Sequence, residues 1–303
     1  MLLGESWFVY SVHQKGFDAF YSSEFTLGGA EFSAALRRLG HEVTHIPAHE
    51  ITTRLPTTAE GLRDIADVIV ISDVGANTFQ VPPDTFVHST PLPDRTDVIR
   101  AFVEQGGGLL MVGGYLTFSG IDAKARWGRT PLAPALAVTV LDRDDRVELS
   151  AGAAPITVGS HAITAGLGRQ WPALLGLNEV VPKPTASVLA ECAGHPLLVI
   201  DTYEAGRSAA FTSDIAPHWA PPSFLQWHGF ATLFDRTVRW LSGEPIEEAS
   251  DSAAEPWREA EPQREQELAA AVAGGAAVAA AASGGVAATA GVAATATTAA
   301  GAA

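Results

Sequence analysis

The residues best able to do chemistry lie in three short loops. The first, Gly113-Gly114-Tyr115-Leu116-Thr117-Phe118-Ser119-Gly120, follows an apolar run directly. A strand, a glycine pair, one side chain and then a helix or turn is the build of a nucleophile elbow. Small neighbours tolerate the strained residue at its centre. The centre here is Tyr115, and a phenol titrating near ~10 is a poor nucleophile at neutral pH. It can still donate a hydrogen bond to a ligand or wall a pocket. The plainer alternative is a tight turn at Gly113 and Gly114 with Tyr115 packed over it, and the sequence leaves both open.

The second loop runs over residues 211–219 and carries Asp214, His218 and Trp219. Histidine is the usual acid–base side chain near neutral pH, and an acid four residues away can orient it. Asp214 can equally cap the turn while His218 bonds a backbone carbonyl. The third loop is Ser72-Asp73-Val74-Gly75-Ala76-Asn77. Gly75 can present its N–H to an anion, and Asp73 and Asn77 can bond a polar ligand; ordinary turn chemistry explains them as well. The expected site therefore has Tyr115, His218 and Asp214 at its centre. Asp73, Gly75, Asn77, Gly114 and Trp219 form the ligand-binding set.

Other chemistry is less well supported. His41, His45 and His49 recur every four residues, but on a strand that separates His41 from His45 by about 13 Å, too far to share a metal. No metal site is expected. No Walker loop or dinucleotide fingerprint opens a helix, so no cofactor is expected. The single cysteine, Cys192, lies far along the chain from the elbow and reads as a buried, inert thiol.

The elements that must position these loops follow from periodicity. Residues 7–12 read as a strand, 27–39 as a helix stopped by Gly40, and 41–46 as a strand ended by Pro47. Residues 67–72 hold four consecutive β-branched side chains, the mark of a strand buried on both faces of a parallel sheet. A helix at 96–105, closed by three glycines, leads to a strand at 109–112. This alternation predicts a doubly wound α/β sheet, mostly parallel. Edge strands are expected at 147–149 and 156–158, an antiparallel extension at 188–191, 197–200 and 208–212, and a last helix at 223–241. In such sheets ligands bind beyond the carboxyl ends of the strands. That selects the loops 11–26, 47–51, 73–78, 113–120 and 213–219.

Composition sets the partners. The net charge is −15, of which −7 falls after Gly243. An acidic body without a basic cluster disfavours nucleic acid and anionic membranes. One cysteine permits no internal disulfide, and the N-terminus lacks a secretory signal, so the cytoplasm is the expected compartment. Residues 1–243 read as one folded domain. Residues 244–303, acidic and then rich in Ala and Gly, read as a disordered tail rather than a membrane helix, because alanine contributes little to insertion.

One family fits these residues. Trp7 and Tyr10, Leu27-Gly28-Gly29-Ala30-Glu31, the 67–72 strand with Asp73 and Gly75, the 113–120 loop and Thr212 through Trp219 together resemble the glutamine amidotransferase-like proteins of the class I amidotransferase fold. The resemblance spans 1–243 and implies a flavodoxin-like sheet and a cytoplasmic protein. The fold is also similar to that of trehalose-utilisation-type proteins and of the trimerisation domain of some β-galactosidases. Working class I amidotransferases carry a cysteine at the elbow, followed later by a histidine and a glutamate. Here Tyr115 takes the cysteine's place, His218 lies in the histidine region, and Ala220 stands where the glutamate is expected. The resemblance thus implies the fold without glutaminase activity. Three functions stay open: binding of a small polar ligand (a sugar, sugar acid or amino acid), acid–base catalysis by His218 and Tyr115, or an oligomerisation module.

Overall fold

The computed structural model describes residues 1–246; the expected tail, from residue 247 onward, lies outside the described residues. In chain order the strands are β1 (Leu2–Gly4), β2 (Ser6–Lys15), β3 (Asp18–Leu27), β4 (His45–Ile46), β5 (Val68–Ser72), β6 (Gly108–Val112), β7 (Val138–Val140), β8 (Arg146–Ala153), β9 (Ile156–Thr157), β10 (Leu174–Asn178), β11 (Val180–Pro182), β12 (Ser187–Cys192), β13 (His195–Tyr203) and β14 (Gly206–Phe211). Eight of them form one sheet in the order β4-β1-β5-β6-β14-β13-β12-β9. Neighbours from β4 to β14 run parallel, and β13, β12 and β9 extend the sheet antiparallel. The parallel part has the flavodoxin-like order 2-1-3-4-5.

Both faces of this sheet are covered, which is why β5 and β6 are apolar without alternation. Val68, Val70 and Leu110 face a core shared with Phe32, Phe211 and Phe234. Ile69, Ile71, Leu109 and Met111 face the other core, with Ile99, Phe102 and Trp127. The helices Ala30–Arg38 and His228–Ser242 thus cover the first face and Arg95–Glu104 the second.

Several sequence expectations need correcting. Residues 7–12 do form a strand, but outside the main sheet: they belong to β2, which among the described residues pairs only with β3 in a two-stranded ribbon. The first sheet strand is β1, three residues long and wholly buried. The stretch 11–26, expected as a loop, is therefore the body of this ribbon. The strand at 41–46 shrinks to β4, and the helix at 223–241 is two helices, Pro222–Leu225 and His228–Ser242. They part at Trp227, whose extended backbone (ψ 133°) cannot continue a helix. No helix among the described residues is long and apolar enough to cross a membrane.

Candidate functional site at the carboxyl ends of the parallel strands

Four adjacent parallel strands end in register: Gly4 lies opposite Ser72, Ser72 opposite Val112, and Val112 opposite Phe211. Each strand delivers polar residues just past its end. These are Glu5 after β1, Asp73 after β5, Gly113 through Tyr115 after β6, and Asp214 after β14. Parallel pairing brings them to one edge, where a doubly wound sheet binds ligands.

Glu5 and Asp73 both adopt positive φ, 46° and 42°. That conformation is costly for side chains other than glycine, and it recurs at functional sites. It turns both carboxyls inward. Ser72 Oγ donates to Glu5 Oε1 at 2.6 Å. Asp73 Oδ1 accepts from the Leu116 N–H at 2.7 Å, and Thr117 Oγ1 accepts from the Asp73 N–H at 2.9 Å. Burial, with the nearby Asp214 charge, pushes Glu5 well above the ordinary carboxylate range; burial also raises Asp73. Among the described residues no group of His, Cys, Asp and Glu is placed to hold a metal ion.

The elbow differs from expectation. Tyr115 is not among the residues with positive φ, while the chain beyond it runs through turns, one of the two expected continuations, to a short 3-10 segment, Ile121–Ala123. The unusual backbone falls on Gly114, φ 153°, where a Cβ would meet the Asp73 carboxylate at 2.8 Å. A Cβ at Gly113 would strike the Thr212 carbonyl oxygen at 2.1 Å. The glycine pair therefore serves close packing of β6 against its neighbours.

Asn178, at the end of β10, holds this turn. Its Oδ1 accepts from the Gly114 N–H at 2.9 Å, and its Nδ2 donates to Gly114 O at 3.2 Å and to Asp145 Oδ1 at 2.8 Å. Asp145 in turn accepts from the N–H groups of Ser119 and Gly120, each at 2.8 Å. Both residues are buried. The sequence reading missed Asn178, Asp145 and Glu5. The only local signal was for Glu5, an acid directly after a short apolar run, as Asp73 is after β5.

Tyr115 donates to Glu148 Oε1 at 3.0 Å, and Trp219 Nε1 donates to Glu148 Oε2 at 3.1 Å. The Tyr115 and Trp219 rings lie 5.4 Å apart, centroid to centroid. The Arg146 guanidinium sits 4.9 Å from the Tyr115 ring and is itself tied to Asp144 by two bonds. Burial and the Glu148 carboxylate raise the Tyr115 phenol further, so it stays protonated at neutral pH. A Cβ on Gly176 would overlap the Trp219 indole at 2.3 Å, so this glycine seats that ring.

His218 stands between two aromatic walls, 5.4 Å from the Trp7 ring and 6.0 Å from the Tyr115 ring. Its Nδ1 lies 3.4 Å from Asp214 Oδ2; the His218 side chain is 38% exposed and that of Asp214 1%. The other Asp214 oxygen accepts from the Ala216 N–H at 2.9 Å. At 3.4 Å the His218 contact is a close charge pairing more than a strong hydrogen bond. The Asp214 carboxylate nonetheless raises the imidazole pKa above its ordinary 6.5, against burial, which lowers it.

Tyr115, Gly114, Asp73, Asp214, His218 and Trp219 thus share one neighbourhood. Gly75 and Asn77 sit one turn further on: Gly75 packs against the Ala125 backbone, and Asn77 is exposed at the start of the helix Asn77–Gln80. Cys192 ends β12, two strands beyond β14, and its Sγ lies 3.4 Å from Ala153 O. Burial holds that thiol at about 11. A cavity of about 660 Å³ opens at the opposite, amino end of the strands, lined by Met1, His41, Asp67 and Val238 among others. It contains none of the site residues.

A family model described as "Putative glutamine amidotransferase" matches residues 1–243. Among solved structures, cytoplasmic protein STM1381 from Salmonella typhimurium LT2 is 44% identical, with a TM-score of 0.76, covering 79% of this chain and 98% of that one. Cytoplasmic protein STM3548 from Salmonella typhimurium is 38% identical, with a TM-score of 0.77, covering 79% of this chain and 97% of that one. Comparison with curated proteins gives no match. The matched span contains every residue of the site just described, and the chain belongs to the glutamine amidotransferase-like family.

Proposed function

We propose that this chain binds a small polar ligand at the carboxyl ends of β1, β5, β6 and β14, and that it has no glutaminase activity. The observation that carries this reading is His218, held between Trp7 and Tyr115 with the Asp214 carboxylate behind it. Aromatic faces accept the C–H face of a sugar or an amino-acid side chain. The imidazole and the Glu148 and Arg146 side chains offer donors and acceptors at the rim. Glutamine hydrolysis through a thioester needs a thiolate beside a base. The elbow offers a phenol, and the one thiol is buried two strands away. The cytoplasm, in which the two relatives are named, is the compartment we assign.

A second reading is acid–base catalysis with His218 as base and Tyr115 as acid. It draws on the 6.0 Å approach of their rings. The Tyr115 hydroxyl is already committed to Glu148, which weighs against it as an acid.

The test is a thermal-shift screen of the full chain against monosaccharides, sugar acids and amino acids. A ligand at ~100 times its Kd adds about 2.7 kcal/mol, which is several degrees in Tm for a domain of this size. The shift is expected to vanish in His218→Ala and to shrink in Tyr115→Phe. Hits that survive both substitutions, or no hit in any of the three classes, would contradict the assignment.

A further inference from the structure

The ribbon of β2 and β3 is paired from Ser6↔Leu27 to Lys15↔Asp18 and joins no other strand among the described residues. A lone two-stranded ribbon is marginal in water, so one of this length needs something to pack on. Its two faces differ. Directly opposed residues share a face, so Phe8 lies with Phe25, Tyr10 with Ser23, Val12 with Tyr21, and Gln14 with Ala19. This face has no charged residue. The other face carries Val9 with Glu24, His13 with Phe20, and Lys15 with Asp18. Such alternation is what a sheet writes when one side is to be buried.

The body of the chain covers only the base of the apolar face, where His49 lies 5.5 Å from Phe8 and 5.2 Å from Phe25. Further out, Tyr10 is 77% and Tyr21 78% exposed, with Val12 beside them. With aromatic side chains at roughly 150–250 Å² each, the exposed part of Phe8, Tyr10, Val12, Tyr21 and Phe25 is about 600 Å². That approaches the ~800 Å² which one partner contributes to a stable interface.

We propose that this face is the contact with a second copy of the chain, ribbon against ribbon about a twofold axis. The face itself favours that occupant. Two copies at −15 each repel at long range, so their contact must bring no further like charges together, and a face without a charged residue meets that condition. A twofold interface puts the same patch on both sides, so it must match itself, and a face of Phe, Tyr and Val does. The inference stands apart from the ligand assignment, because Trp7 lies on the ribbon's other face. It does give the site a fixed wall, since burying the ribbon immobilises the strand that carries Trp7.

Sedimentation velocity on the full chain tests it. Wild type is expected to sediment as two chains at micromolar concentration. The double variant Tyr10→Lys/Tyr21→Lys is expected to be monomeric, with its dissociation constant raised at least ~100-fold, as the loss of central aromatic anchors produces. Val9→Lys, on the polar face opposite Glu24, should leave the dimer intact. An unchanged far-UV circular dichroism spectrum would show that the double variant still folds, with a lower melting temperature expected from the loss of its partner. A monomeric wild type would overturn the proposal and leave the face to a different protein. A dimer that persists in the double variant, or is lost in Val9→Lys, would overturn it too.

Discussion

Replacing Asn178 with leucine is expected to cost about 3–5 kcal/mol of folding stability, the usual penalty for stripping partners from buried polar and charged groups. Leucine is close in size, so the loss is one of bonding more than of volume. The Gly114 N–H would be left without its acceptor. Asp145 would keep only the Ser119 and Gly120 donors, in a place where burial already raises its pKa. Urea unfolding gives the number. Asn178→Asp should be worse at neutral pH, because it sets a second carboxyl 2.8 Å from the first, and should recover as the pH falls and one of the pair takes a proton. A change below about 0.5 kcal/mol in Asn178→Leu, the range of ordinary surface substitutions, would show that this bracket does not hold the turn carrying Tyr115.

Glu5→Gln is expected to stabilise the protein increasingly as the pH rises. The folded state raises the Glu5 pKa from an ordinary 4.5, so above that pH the folded chain binds more protons than the unfolded one. Stability contributed by Glu5 is then complete below about 4.5 and is lost as the pH climbs through the folded value, with a slope of at most about 1.4 kcal/mol per pH unit for one proton. Glutamine keeps the acceptor for Ser72 Oγ and carries no charge to bury. Other groups pull both ways: His218 and Asp73 follow the sign of Glu5, while the Met1 amine and His45, whose pKa values are lowered, oppose it. The difference between variant and wild type isolates Glu5. It should be near zero at about pH 4, grow as the pH rises, and level off once Glu5 ionises in the folded state, measured by urea unfolding. A difference that stays flat would mean Glu5 ionises as readily folded as unfolded.

The parts of the fold readable from sequence were those whose signal is local and dense. The β-branched run of β5, the glycines before β6 and the tight turn between β13 and β14 each declare themselves within a few residues. β1 does not, because three residues show no periodicity. The ribbon misled for a physical reason: aromatic and β-branched alternation marks a strand but not the sheet it joins, and β2 reads like a first sheet strand. The site divides similarly. Gly113, Gly114 and Tyr115 follow a strand visibly, and Asp214 with His218 fit within one turn. Glu5, Asn178 and Asp145 act across separations of 67, 64 and 33 residues, which no local pattern encodes. Tyr115, Ala220 and the distance of Cys192 along the chain speak against glutamine chemistry from sequence; the structure adds that Cys192 is buried on β12, two strands from β14.

The measurement closest to the central claim is ammonia release from L-glutamine by the full chain at neutral pH, with Cys192→Ser and His218→Ala alongside. A phenol at the elbow and a buried thiol two strands from β14 leave no thiolate beside His218, so all three proteins should match the rate of glutamine alone. Release above that rate that disappears in Cys192→Ser or in His218→Ala would contradict the account and restore the amidotransferase chemistry of the family to this chain.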